Sequence, residues 1–147
     1  MKIFIGADHG GFELKEKIKD FLVKNKFETE DTGSIVYDKT DDYPDLTINL
    51  AQKVTATPGS KGIMICGSGV GACVAANKIK GIRACVCHDT YSAHQGVEHD
   101  NMNVLCLGGR IVGYELAFEI VGAFVRAEFS NEERHIRRLE KVLKLEN

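Results

Sequence analysis

The chain lacks a surplus of charge of either sign: 19 Lys and Arg stand against 21 Asp and Glu, a formal net charge of -2. That balance gives no sign of a nucleic-acid or anionic-membrane partner, although a local basic cluster stands near the C-terminus. No apolar run approaches the roughly 20 residues that a membrane helix requires. Lys15, Glu16 and Lys17 interrupt the first apolar residues, so no signal-peptide core is expected and the cytoplasm is the expected location. Proline occurs twice, at Pro44 and Pro58, and both fall between patterned segments. No CxxC pair is present. The five cysteines, at 66, 73, 85, 87 and 106, are odd in number and lie mostly in apolar segments, which argues against a disulfide framework. Cys73, Cys85, Cys87 and Cys106 are expected as small buried hydrophobes.

Hydrophobic residues make up 44% and charged residues 27% of 147 positions, the profile of one globular domain spanning residues 1–147. A domain of this size buries roughly 70% of its unfolded surface. Short apolar strands alternate with helical patterns along the whole length. Strands are predicted at Lys2–Gly6, Phe27–Asp31, Gly62–Cys66, Ile82–Cys87 and Asn103–Leu107. Leu14, Ile18, Phe21 and Leu22 mark a first helix face, and Leu46, Leu50 and Val54 a second, stopped by Pro58-Gly59. Residues 34–44 read as a polar connector. Further helices are predicted over Val70–Ile79, Thr90–His99 and Glu115–Phe129, with a last one from about Asn131. Its stripe of Ile136, Leu139, Val142 and Leu143 could be covered by the same domain or by a second subunit. Five parallel strands with helices on both faces give a three-layer, doubly wound α/β fold with an extra C-terminal helix.

Ligands in such sheets bind beyond the carboxyl ends of the strands. Asp8 and His9, Cys66 to Gly71, His88 and Asp89, and Arg110 all fall there. In Cys66-Gly67-Ser68-Gly69-Val70-Gly71 three alternate glycines leave backbone N–H groups free to converge on an anion beside a thiol. Gly67-x-Gly69-x-x-Ala72 also matches a relaxed dinucleotide fingerprint, with Asp89 placed 22 residues on. However, the motif follows the third strand and leaves only two more for a second nucleotide half. A cysteine phosphatase needs an arginine six residues after its thiol, where this chain has Ala72. Cys85, Cys87, His88, His94 and His99 show no recognised zinc spacing. Proton transfer on a phosphorylated substrate remains: Cys66 as base, His99 as acid, and a clamp among Arg110, Arg134, His135 and Arg138, with Arg137 assigned to a solvated face.

Together these residues resemble the type B ribose-5-phosphate isomerases and the related galactose-6-phosphate isomerase subunits. The resemblance runs through Gly6-Ala7-Asp8-His9, Asp42-Tyr43-Pro44-Asp45, Ile65 to Gly71, Ala75-Ala76-Asn77-Lys78, Gly81-Ile82-Arg83-Ala84, Gly109-Arg110-x-Val112-Gly113 and Arg134-His135-x-x-Arg138. It implies an aldose–ketose isomerisation through a cis-enediolate, without metal or organic cofactor. By that resemblance Cys66 carries the proton between C2 and C1. Ser68 assists, the N–H groups from Gly67 through Gly69 to Gly71 hold the enediolate oxygen, and His99 moves a proton during ring opening, with Asp8 beside the ring. His9, Arg110, Arg134 and Arg138 hold the phosphate, and Tyr43 lines the pocket. His99 and Arg110 are implied to come from a neighbouring subunit of a homodimer or a dimer of dimers. Two departures bear on the sugar: Asp100 follows His99 where many relatives have Asn, and Glu132-Glu133 replaces a glycine pair. A six-carbon aldose phosphate, allose 6-phosphate or galactose 6-phosphate, is the alternative substrate. A non-catalytic nucleotide or sugar-phosphate binding module is the alternative class.

Overall fold

The structure, a computed structural model, describes residues 1–146. Five strands, β1 (Lys2–Ala7), β2 (Glu28–Asp31), β3 (Lys61–Cys66), β4 (Ala84–Val86) and β5 (Val104–Gly108), form one sheet in the order β2-β1-β3-β5-β4. Every pairing is parallel. Six α-helices connect and cover them: α1 (Phe12–Lys24), α2 (Tyr43–Ala56), α3 (Val70–Ala76), α4 (Thr90–Asp100), α5 (Tyr114–Arg126) and α6 (Glu133–Leu143), followed by a 3₁₀ turn at Lys144–Glu146.

Strand alternation divides the core into two layers. Ile3, Ile5, Ile63, Ile65, Leu105 and Leu107 point to one face, where they meet Leu14, Ile18 and Leu22 of α1, Ala93 and Val97 of α4, and Ile120, Val121 and Phe124 of α5. Phe4, Met64, Val104 and Cys106 point to the other, against Leu50, Ala51 and Val54 of α2 and Ala72 and Ala76 of α3. Burying each such aliphatic side chain contributes about 1.5–3 kcal/mol. Gly62 is required for this closeness, because a Cβ there would lie 2.6 Å from Leu50 Cδ2. The predicted fold class is therefore the observed one.

Element ends differ from the sequence expectation where side chains terminate them. α2 starts at Tyr43, so the connector stops at Asp42. α3 ends at Ala76 rather than Ile79. Asn77 donates Nδ2–H to Ala84 O at 2.9 Å and accepts the Ala84 N–H at 2.9 Å, turning the chain into β4, which is only three residues long. α5 ends at Arg126 rather than Phe129. The Lys61 ammonium donates to the carbonyls of Phe124 (2.8 Å), Val125 (3.3 Å) and Ala127 (2.6 Å), taking up carbonyls the helix leaves open. The cysteine expectation holds for Cys87 and Cys106, which are buried, but Cys73 is half-buried and Cys85 exposed on the edge strand β4. α6 leaves its apolar stripe largely uncovered: His135 is its buried residue, while Ile136 and Val142 are 37% and 51% exposed.

Candidate active site

Three loops at the carboxyl edge of the sheet, those following β1, β3 and β5, meet backbone to backbone. Gly109 N–H donates to Cys66 O at 2.8 Å, and Arg110 N–H to Gly67 O at 3.0 Å. A Cβ on Gly109 would lie 2.4 Å from Gly10 O, and one on Gly11 would lie 2.5 Å from Ile65 O. Side chains are excluded from these junctions, which is why glycines stand there. Gly69 adopts φ +81, a left-handed conformation that glycine enters freely. Its N–H thereby turns back to donate to Cys66 Sγ at 3.1 Å. The thiol is buried at the end of β3, and Ser68 stands exposed beside it, its Oγ accepting the Val70 N–H at 3.3 Å. α3 has only seven residues, so the loop amides, more than a helix dipole, shape the cradle. Tyr43 lays its ring on Gly71, where a Cβ would come within 2.7 Å of Cζ.

Asp8 follows β1, and its Oδ1 accepts the N–H groups of Gly10 (2.9 Å) and Gly11 (3.2 Å). Burial pushes its carboxyl above the usual range, against those donors. His9 gives its backbone N–H to Asp41 Oδ1 at 3.0 Å and sets its Nδ1 2.7 Å from the same oxygen. That hydrogen bond holds the imidazole above its ordinary value. Arg110 lies on this rim too: a Cβ on Gly67 would meet its Nη1 at 3.2 Å, and its charge is felt by His9. Arg110, implied by the resemblance to come from a neighbouring subunit, here borders its own chain's cysteine loop. Asp8, His9 and Asp41 place one ligand-type atom each within 4.8 Å of one another, so these three could take a divalent cation.

His99, Arg134 and Arg138 are not gathered here. α4 runs back to the amino edge of the sheet, where Gly62 N–H, near the start of β3, donates to Asn103 O at 2.8 Å. His99, near the end of α4, thus lies about a strand length, roughly 17 Å, from the Cys66 edge. There it stacks on His135 with ring centroids 4.0 Å apart. Gln95 Nε2 donates to its Nδ1 at 2.9 Å. Ser130 N–H donates to Glu98 O at 3.0 Å and ties the start of α6 to α4. Glu132 holds Arg134 Nε at 2.8 Å, which pulls the carboxyl below its usual range. Asp100 is exposed at the end of α4. A cavity of about 830 Å³ opens beside this second cluster, lined by Arg83, Gln95, Asp100, Met102 and Leu139, and it excludes Cys66.

The nucleotide alternative loses its supporting acid. Asp89 caps α4 by accepting the Ser92 N–H at 2.6 Å, and β5 lies between β3 and the strand that carries it. Sequence reasoning missed Asp41 and Gln95. Asp41 sits 32 residues from His9 in a connector without periodicity, and only the i, i+4 spacing of Gln95 to His99 offered a signal.

Residues 3–142 match the family described as Ribose/Galactose Isomerase. The chain belongs to the ribose/galactose isomerase family. Its fold is that of family members already solved. Ribose-5-phosphate isomerase B of Clostridium thermocellum superposes with a TM-score of 0.94 at 44% identity, covering 99% of this chain and 97% of that one. The Mycoplasma genitalium enzyme with bound ribulose-5-phosphate does so with a TM-score of 0.93 at 40% identity, covering 99% and 95%. A D-erythrulose-4-phosphate isomerase of Pectobacterium atrosepticum is 42% identical over 132 residues, 88% of this chain and 85% of that protein.

Proposed function

We propose that this chain interconverts ribose 5-phosphate and ribulose 5-phosphate by proton transfer through a cis-enediolate, with Cys66 as the base. The observation that carries the reading is the buried Cys66 sulfur at the carboxyl edge of β3, faced by the Gly69 N–H in a glycine loop with Asp8, His9 and Arg110 on the same rim. Once the ring is open, Cys66 takes the C2 proton. The C2–H electrons become the C1–C2 double bond, and the carbonyl at C1 becomes an enediolate oxygen. The amides from Gly67 to Gly71 hold that charge. The O2 hydroxyl proton passes to the O1 oxyanion, and Cys66 then returns the carbon-bound proton to C1 as C2 becomes the carbonyl. Ser68 assists with its hydroxyl, Asp8 stands beside the ring, and Tyr43 walls the pocket.

The phosphate is held by His9 and Arg110 from this chain and by Arg134 and Arg138 from a second copy, which also brings His99 to open the ring. Two observations support this split: His99 and the α6 arginines lie a strand length from Cys66, and α6 leaves an apolar stripe open. A homodimer, or a dimer of dimers, with shared sites follows. The absence of any helix long and apolar enough to cross a membrane among the described residues fits a cytoplasmic enzyme, which is part of the same proposal. The relatives named above act on five-carbon and four-carbon sugar phosphates, so both belong in the assay. Neither departure supports the six-carbon alternative, since Asp100 is exposed and Glu132 is paired with Arg134.

The test is Cys66→Ala. We expect turnover of ribose 5-phosphate to fall by at least about 10³-fold while the variant still binds the sugar phosphate in a calorimeter. Turnover within tenfold of the parent would remove Cys66 as the base.

A further inference from the structure

The second cluster contains two side chains, Gln95 and His135, left without a task once His9, Arg110, Arg134 and Arg138 hold the phosphate; burial corrects the clamp role expected of His135. His135 is 1% exposed. Its Nδ1 lies 2.6 Å from Ser130 Oγ, and its Nε2 has no partner among the described residues. An orphaned buried nitrogen costs about 1–3 kcal/mol and calls for an explanation. Burial, reinforced by the neighbouring His99 and Arg134, pushes the ring below its ordinary value. Its flat face lies under His99, with centroids 4.0 Å apart and the planes 26° from parallel. On the edge of the same ring, Gln95 Nε2 stands 2.9 Å from Nδ1. An amide nitrogen has only hydrogens to give, so Nδ1 must accept, and the proton of neutral His99 then sits on Nε2.

We propose that Gln95 and His135 are positioning residues for His99: the amide fixes the tautomer and the buried ring fixes the plane, so that Nε2 faces the sugar. This rests on the reading of His99 as the residue that opens the ring. Ser130 completes the support, since its Oγ also accepts the Glu132 N–H at 3.2 Å and holds the start of α6 under the stack. Neither Gln95 nor His135 touches substrate in this arrangement. Both act on the orientation of a ring that does, and misplacement of such a group by about 1 Å costs on the order of 10²-fold.

The chemistry of the two substrates separates this role from general damage. Ribose 5-phosphate is cyclic and must be opened. Ribulose 5-phosphate carries its phosphate on O5, the only oxygen that could close a five-membered ring on C2, so it is already open. Positioning of His99 therefore matters for turnover of the aldose and not for exchange of the C1 proton of the ketose with solvent deuterium. In the intact oligomer we expect Gln95→Leu and His135→Ala to lower kcat for ribose 5-phosphate by about tenfold to a hundredfold with KM little changed. Deuterium uptake into ribulose 5-phosphate should stay within about twofold of the parent. His135→Phe restores a flat buried ring and should recover most of the aldose rate. Nitrogen-15 shifts of His99 should report the Nε2–H form in the parent and a mixture of tautomers in Gln95→Leu. Thermal melting of each variant confirms that it is folded. Equal losses on both substrates, or an unchanged aldose rate and tautomer in Gln95→Leu, would overturn the proposal. His99→Ala is the control for the reading beneath it: an intact aldose rate there would remove the ring-opening role itself and the positioning role with it.

Discussion

Asp31 accepts the ammonium groups of Lys15 and Lys19, each at 2.9 Å, and the Gly33 N–H at 2.9 Å. Burial pulls its carboxyl up, yet those three donors outweigh it and hold the group below 3.8. A depressed carboxyl stabilises the fold above its unfolded value and loses that contribution as pH falls through the folded value. The melting temperature should therefore drop steeply below about pH 4, and more shallowly in Asp31→Asn. That variant should lose about 1–3 kcal/mol at pH 7, because the fully buried Lys15 ammonium would keep only the Ser34 carbonyl at 2.7 Å and the Glu16 carboxylate at 3.3 Å. A second residue-scale expectation concerns Glu132, which occupies Arg134. Glu132→Gln should free that guanidinium and lower KM for the sugar phosphate, whereas Arg138→Ala should raise it with kcat less affected. Unchanged KM in both would count against the clamp. Cys66, the glycines and the arginine pair were legible because their chemistry is carried by residue type and short spacing. Asp41 and Gln95 were not, since an acceptor 32 residues away and an ordinary helix-surface amide look like any others until the chain is folded.

At the scale of elements, β1, β3 and β5 were legible as buried apolar runs and most helices by their i, i+4 stripes, whereas β2, a polar edge strand of Glu28–Asp31, was marked mainly by the Thr32-Gly33 turn that ends it. Their ends were harder. α5 stops where Lys61 takes three carbonyls, a lysine that precedes the helix by more than fifty residues. Lys61→Met should leave those carbonyls open and cost about 1–3 kcal/mol, read by denaturant unfolding, with the loss concentrated in amide protection at the end of α5. α3 ends early because Asn77 uses both faces of its amide on Ala84. Gly69→Ala should damage the turn into α3. It forces φ +81 on a residue with a Cβ and brings that Cβ to 2.9 Å from Leu107 C. Activity should fall further than stability, since the displaced amide is the one aimed at Cys66 Sγ.

For the whole molecule, the separation of Cys66 from His99 makes a sharp expectation. Mixing inactive Cys66→Ala with inactive His99→Ala should regenerate about a quarter of parental activity, because half of the randomly formed dimers are hybrids and each hybrid has one intact site. No recovery after subunit exchange would show that the two residues act within one chain. The resemblance implied a neighbour's His99, but the residue spacing did not show it. Both clusters read as one constellation along the chain, and only the return of α4 across the sheet moves His99 to the opposite edge.

The glycine seam between the three loops has a consequence on the clock of amide exchange. Loop N–H groups ordinarily trade their protons with water quickly, because they bond to solvent or to nothing. Here Asp8 N–H donates to Ile65 O at 3.2 Å, Gly109 N–H to Cys66 O at 2.8 Å, and Gly108 N–H to His88 Nε2 at 3.1 Å. These amides should exchange as slowly as those inside β3 and β5. The segment at residues 34–40, on the same side of the sheet, should have exchanged long before.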